Sequence, residues 1–219
     1  MLAGIVLNEG FVCIAMATPL FALVAIVIGK YLEWARSKNN ARLMSVVILL
    51  PMVLEGVFPS FEFSRNEVVS LSREFAISGE QVRQRLAKPL ALTKTLPLFL
   101  QMGFPQAKEV RGEGLDIGST RCIYFAGGEG TPGDLCLQIQ DVLNNRVVFQ
   151  LAKDDSHIAH WLSWKTATVS WQEKSPGKVE VTWTLAYDRE LDPYWYFAPL
   201  ERYGVRLAAQ HLLANYFEN

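Results

Sequence analysis

The 20 residues from Gly10 to Gly29 carry no charge. Wound as a helix at about 1.5 Å per residue they reach roughly 30 Å, the thickness of a bilayer's hydrocarbon core. A second stretch, 43–61, is interrupted only by Glu55. Pro51 and Pro59 would break a soluble helix, but spanning helices tolerate proline where neighbours re-satisfy the freed backbone groups. The expectation is a transmembrane helical hairpin over residues 1–62, with spans at 10–29 and 43–61. A cleaved signal peptide is the rival reading of the first run. It asks for a basic start before the apolar stretch and a small-residue cleavage site after it. Here no Lys or Arg precedes the run, and the basic residues follow it. A buried hairpin of a soluble protein is the remaining alternative.

Lys30, Arg36, Lys38 and Arg42 stand between the two runs against Glu33 alone. That bias places the short loop in the cytoplasm and the rest of the chain outside it. The expected location is a bacterial inner membrane, with the large domain extracytoplasmic. Glu9 and Glu55 both fall near the outer end of such a hairpin. Either they form an intramembrane acidic pair facing a protein interior, with at least one carboxyl protonated, or they sit among the headgroups at helix ends.

Charge divides the chain in the same place: 17 of the 21 basic and 19 of the 22 acidic residues come after residue 60. Residues 63–219 therefore read as an ordinary domain, faintly acidic, with no basic excess pointing to nucleic acid. Three cysteines are too few for a disulfide scaffold and lack metal-ligand spacing.

Within that domain Glu67–Phe75 reads as a strand. Ser78 with Gln81 forms a capping box, and Ile77 with Val82 a hydrophobic staple, so a helix starts there. Pro89 stops it near Ala87. A second short helix is expected over Lys94–Leu100. Further strands follow at Ala107–Gly112, Thr120–Ala126, Leu135–Asp141 and Arg146–Ala152, then a long hairpin, Leu162–Glu173 with Lys178–Arg189. Matching apolar partners sets the register. Asp141 opposes Val147, Ile139 opposes Phe149 and Leu137 opposes Leu151; in the long hairpin Trp171 opposes Val181 and Val169 opposes Trp183. Pro199 suits the first turn of a closing helix, with Leu200, Leu207, Ala208, His211, Leu212 and Ala214 at helical spacing. The fold class is α+β: a curved antiparallel sheet wrapped around a long C-terminal helix, enclosing a cavity.

The order strand, two short helices, meander, long helix resembles the helix-grip fold of the START-domain and polyketide-cyclase superfamily (SRPBCC). The stretch Gly114-Leu115-Asp116-Ile117-Gly118-Ser119-Thr120-Arg121 is similar to a glycine-and-arginine hairpin of its bacterial members. Ile123-Tyr124-Phe125 and Gly127-Gly128-Glu129 continue that likeness. The approach Pro193-Tyr194-Trp195-Tyr196-Phe197-Ala198-Pro199 to the last helix also fits. The Asn8-Glu9-Gly10 and Glu55-Gly56 elements resemble the membrane hairpin that some bacterial members carry. The resemblance implies a cavity for a hydrophobic ligand and no fixed catalytic set.

Several motifs invite chemistry. Two histidines at three-residue spacing beside carboxylates, Asp154-Asp155-Ser156-His157-Ile158-Ala159-His160, have zinc-ligand types, but the stretch sits in a strand connection and reads as a polar loop. The glycines of 127–133 lack the Gly-Lys-Ser/Thr ending of a phosphate cradle and read as a hairpin loop. No metal and no cofactor are expected. Cys122 and Cys136 would face one another across a hairpin centred on Glu129, within disulfide reach; a shifted register would leave two separate thiols. Trp161, Trp164, Trp171, Trp183, Tyr187, Trp195 and Phe197 crowd the last strands, as core packing or as pocket walls.

The function this supports is membrane-tethered binding of a hydrophobic small molecule or lipid. Its cavity would be lined by Ile123, Phe125, Leu137, Ile139, Phe149, Leu151, Trp164 and Trp183, with Arg121 fixing one end of the ligand. The partners are that molecule and the bilayer, with no nucleic acid. The alternatives are a cyclase or aromatase acting on a hydrophobic substrate, and a structural module whose cavity is filled by its own side chains.

Overall fold

The computed structural model describes residues 11–37 and 63–218. The chain divides into two compact units, Met1–Ser64 with Leu191–Pro199, and Arg65–Glu190 with Leu200–Asn219.

In the first unit Phe11–Ser37 is a single helix, α1, of 27 residues with Pro19 inside it. Tyr196 donates its hydroxyl to the Met16 carbonyl at 2.5 Å, and Phe63 stacks on Tyr194 with ring centroids 5.5 Å apart. The expected span 10–29 overlaps α1. Its uncharged part ends at Gly29, and Lys30, Glu33 and Arg36 occupy its last third. Among the described residues no helix is long and apolar enough to cross a membrane, so the expected transmembrane hairpin is not found. The second span, 43–61, and both Glu9 and Glu55 lie outside the described residues.

The second unit is built on seven antiparallel strands. They are β1 Asn66–Phe75, β2 Gln106–Arg111, β3 Thr120–Ala126, β4 Gly133–Leu143, β5 Arg146–Asp154, β6 Leu162–Ser175 and β7 Lys178–Arg189. They lie in the order β1-β7-β6-β5-β4-β3-β2. The first strand thus closes beside the last, and the strands between run as a meander. Between β1 and β2 come two helices, α2 Gly79–Ala87 and α3 Leu98–Gln101. A helix of 24 residues, α4 Tyr194–Phe217, follows β7.

Local sequence explains most of these boundaries. Ser78 and Gln81 make both halves of the capping box at the start of α2. Pro89 ends α2, since it disfavours helical geometry at Lys88, which is extended. The second short helix is shorter than expected and starts later, because Pro97 keeps Leu96 out of the helix and itself becomes the N-cap.

Registers of β6 with β7 match the expected pairing, Trp171 with Val181 and Val169 with Trp183. In β4 with β5, Leu137 opposes Leu151 and Ile139 opposes Phe149, but a bulge between Ile139 and Asp141 moves Asp141 onto Val148. The extra residue breaks the period-2 parity that apolar matching assumes. Further bulges interrupt β2 between Ala107 and Glu109 and β6 between Trp164 and Thr166. Each bulge bends its strand.

On β7 every odd residue from Val179 to Arg189 is buried. The other face carries hydroxyls: Ser70 bonds Thr184 and Ser72 bonds Thr182, both at 2.8 Å. The core lies on the odd face, where Val69, Val147, Val169, Val181 and Leu185 join Val82 and Leu86 of α2. Val205, Ala209, Leu213 and Phe217 of α4 complete it, each at most 5% exposed. The expected stripe on this helix (Leu207, Ala208, Leu212) is therefore displaced by one position, about 100° of helix rotation. The helix also begins at Tyr194, five residues before Pro199, so Pro199 lies inside it.

Candidate functional site

On the inner face of the sheet, strands β2 to β7 surround a cavity of about 40 Å³. Its walls are Val110, Ile123, Leu137, Phe149, Ala167 and Trp183 from the sheet, and Leu212 and Tyr216 from α4. Leu86 of α2, Leu90 just after it, and Arg121 complete the lining. Among the described residues no carboxylate, histidine, lysine or cysteine belongs to it. The cavity is small against the roughly 300–1,000 Å³ of ordinary ligand pockets. It exceeds the roughly 10–15 Å³ that one water requires.

The structure brings five of the nine expected cavity residues to this lining: Arg121, Ile123, Leu137, Phe149 and Trp183. Ile139 points the same way but is 1% exposed within the solid core. Trp164 packs against that core, edge-on to Tyr187 with centroids 5.7 Å apart. Phe125 and Leu151 are half-buried and take no part in the lining. Phe125 pairs with Gly133 at the end of the hairpin. Leu151, beyond Phe149 on β5, lies past the residues of that strand paired to β6.

Arg121 is 4% exposed. Nη1 donates to the Lys88 carbonyl at 3.2 Å and to the Tyr216 hydroxyl at 3.3 Å. Nη2 donates to the Gly114 carbonyl at 2.8 Å and to the Leu86 carbonyl. Leu86 and Lys88 lie at the end of α2, where carbonyls lack intrahelical partners and carry the negative end of the helix dipole. The guanidinium thus closes α2 from across the sheet. Gly112 permits the approach: it has φ +100°, and a Cβ there would stand 2.3 Å from the Thr120 carbonyl oxygen. Among the described residues, four of the five N–H groups of Arg121 find acceptors and Nε–H meets none, and Trp183 Nε1–H also meets none.

Burial pushes the Tyr216 phenol above the usual tyrosine range, while the Arg121 guanidinium pulls it the other way. It therefore stays protonated at neutral pH. Tyr216 was missed by sequence reading, as were Leu86, Leu90, Val110, Ala167 and Leu212 as wall residues. A signal existed for Tyr216: it stands four residues beyond Leu212, one turn along the same helix face.

Elsewhere Glu67 of β1, 6% exposed, takes a two-point contact from Arg202 of α4, Nε to Oε2 at 2.6 Å and Nη2 to Oε1 at 2.8 Å. The Tyr187 phenol is pushed up by burial first and then by the Glu201 and Glu67 carboxylates. His157 and His160 form a short 3-10 turn with ring centroids 4.8 Å apart. The glycine loop after β3 packs on a neighbouring turn: Glu129 N–H donates to Gly103 O at 2.8 Å. Cys122 directly opposes Cys136, Cα–Cα 4.0 Å, and the two are joined by a disulfide.

No family model matches the chain, and no curated protein does. Solved structures similar to it include a Chromobacterium violaceum protein, 16% identical, covering 68% of this chain and 92% of that one at TM-score 0.48. Truncated norcoclaurine synthase from Thalictrum flavum is 15% identical, covering 72% and 98% at TM-score 0.48. The major latex-like protein of Panax ginseng is 15% identical, covering 68% and 99% at TM-score 0.39. The likeness is one of fold and is distant. The chain's own strand order, with a long helix across the inner face, is the helix-grip arrangement expected from its sequence.

Proposed function

We propose that the domain binds a small hydrophobic molecule in the cavity on the inner face of its sheet, and that α1 holds it at a membrane. The observation that carries the binding reading is the lining: hydrocarbon and aromatic walls with two buried N–H groups lacking acceptors. Apolar surface leaving water there gains about 25 cal/mol per Å². The volume suits a closed state. Leu90 reaches the lining from 88–97, a segment with neither helix nor strand, and this is the wall with least to lose on opening.

A cyclase or aromatase needs a group that moves protons. Among the described residues the titratable groups in the lining are Arg121 and Tyr216, and burial keeps the phenol protonated. Binding is therefore favoured over catalysis. The small volume specifically favours one other reading, a structural module filled by its own side chains.

The tether rests on α1. Ile14, Phe21, Leu23, Ile26 and Ile28 are 39–69% exposed, and at 100° per residue they fall on several sides of the helix. A helix apolar all round favours lipid over a one-sided protein groove. The Cys122–Cys136 disulfide favours an oxidising, extracytoplasmic compartment.

Native mass spectrometry of the detergent-extracted full chain tests the binding reading. One small apolar molecule per chain is expected, and it should be lost in Ala167→Phe, which fills the cavity. An empty wild-type chain that also takes up no added apolar compound overturns it in favour of the filled module. Labelling Lys38→Cys in intact cells with an impermeant thiol reagent tests the orientation that holds if 43–61 crosses back as a second span: protection is expected, and labelling would then put the domain in the cytosol.

A further inference from the structure

Arg121 carries a full positive charge in the interior, and among the described residues no carboxylate pairs with it. Its charge is met only by backbone carbonyls and one phenol. Four of its five hydrogens are used there, which leaves Nε–H. Trp183 is 7% exposed and also lines the cavity, and its Nε1–H is equally without an acceptor. Tyr216 accepts from Arg121, so its own hydroxyl hydrogen is available to donate. The polar part of the cavity thus consists of hydrogen-bond donors, beside an uncompensated cation, in a wall that is otherwise hydrocarbon.

Buried donors without acceptors are costly, and a buried charge without an opposite charge is costlier. An acceptor-only, negatively charged group relieves both at once. An alcohol accepts one hydrogen bond but brings a hydrogen for which the lining offers little. An ammonium group adds donors to donors and charge to like charge.

We propose that the cavity selects a small monocarboxylate with an apolar tail, its oxygens accepting from Arg121 Nε–H and Trp183 Nε1–H. This rests on the binding reading above and narrows it to a head-group chemistry. The present volume accommodates the head, and the tail lies along the apolar walls once the 88–97 segment gives way.

Three probes with one six-carbon skeleton separate the contributions. Hexanoate, 1-hexanol and hexylamine are titrated into the full chain in lipid nanodiscs by calorimetry, with empty nanodiscs subtracted. Hexanoate should bind at least about tenfold tighter than 1-hexanol, with hexylamine weakest. Trp183→Phe keeps an aromatic side chain and removes the donor, and should cost hexanoate roughly tenfold and 1-hexanol less. Tyr216→Phe gives a second variant that spares Arg121 and its hold on α2; it should weaken hexanoate more than 1-hexanol. Equal binding of hexanoate and 1-hexanol overturns the head-group assignment and leaves the hydrophobic cavity standing. A hexanoate preference that survives unchanged in Trp183→Phe overturns the role given to Trp183. Absence of binding by all three overturns this inference, and an empty chain in mass spectrometry then takes the binding reading with it.

Discussion

Arg121 shows how one side chain can hold a fold and colour a cavity together. Its four bonds reach α2, the Gly114 turn and α4, so truncation takes the donor from three carbonyls, that of Leu86 buried and the other two part-buried. Arg121→Met is expected to lower stability by on the order of 3 kcal/mol in urea unfolding. Arg121→Lys should recover little of it, because an ammonium cannot reproduce the planar fork. His211 acts at the opposite end of the same scale. Asn215 Oδ1 accepts from Thr93 N–H at 2.8 Å and Lys94 N–H at 3.0 Å, while its Nδ2 contacts His211 Nε2 at 3.1 Å. Burial holds His211 below its ordinary 6.5, so the unfolded chain takes up a proton before the folded one. The stability linked to His211 is complete above about pH 6.5 and is lost as pH falls toward the folded value. A protonated Nε2 also faces a donor where it met one as acceptor, which loosens Asn215 from the 93–94 backbone. His211→Gln should flatten the stability profile between pH 5 and 7 roughly to that of the other groups; an unchanged slope would remove His211 from the account.

Among the elements, the β3–β4 hairpin is held by both strand pairing and a disulfide. Its strands are paired from Thr120 with Gln138 to Phe125 with Gly133, and the disulfide closes a separation of 14 residues. Constraint of the unfolded chain by such a loop is worth about 3 kcal/mol. Cys122→Ser with Cys136→Ser should lower the urea midpoint accordingly, and a reductant should reproduce the loss in wild type and do nothing further to the double variant. The loop at the tip depends on its glycines for a steric reason: Gly128 has φ +73°, and a Cβ there would stand 2.3 Å from the Phe104 carbonyl oxygen. Its composition, which invites a phosphate reading, serves close packing of one turn on another.

At the scale of the second unit, stability rests on α4 meeting the odd face of the sheet. Leu213 is 0% exposed among core residues of sheet and helix. Leu213→Ala should cost about 2–5 kcal/mol, measured by chemical unfolding; a loss under 1 kcal/mol would mean the helix is not held there. Much of this unit was legible in the sequence, because its signals are local. Ser78 and Gln81 cap α2 whatever else the chain does, and Pro89 ends it. Alternation fixed which residues of β7 share a face, and apolar matching placed Val169 against Trp183. Cys122 and Cys136 followed from the symmetry of one hairpin about Glu129. The tertiary structure decided what no local rule contains. A bulge at Gln140 shifts Asp141 onto Val148, and nothing within that strand announces it. The buried stripe of α4 runs through Val205, Ala209, Leu213 and Phe217, since the sheet it faces, and not its own periodicity, selects among near-equal apolar faces. Whether Phe125, Leu151, Ile139 and Trp164 joined the cavity depended on where neighbouring side chains from other strands filled the space. The carbonyls that hold Arg121 come from 7 to 35 residues away along the chain, so its isolation from the described carboxylates is a property of the packed interior alone.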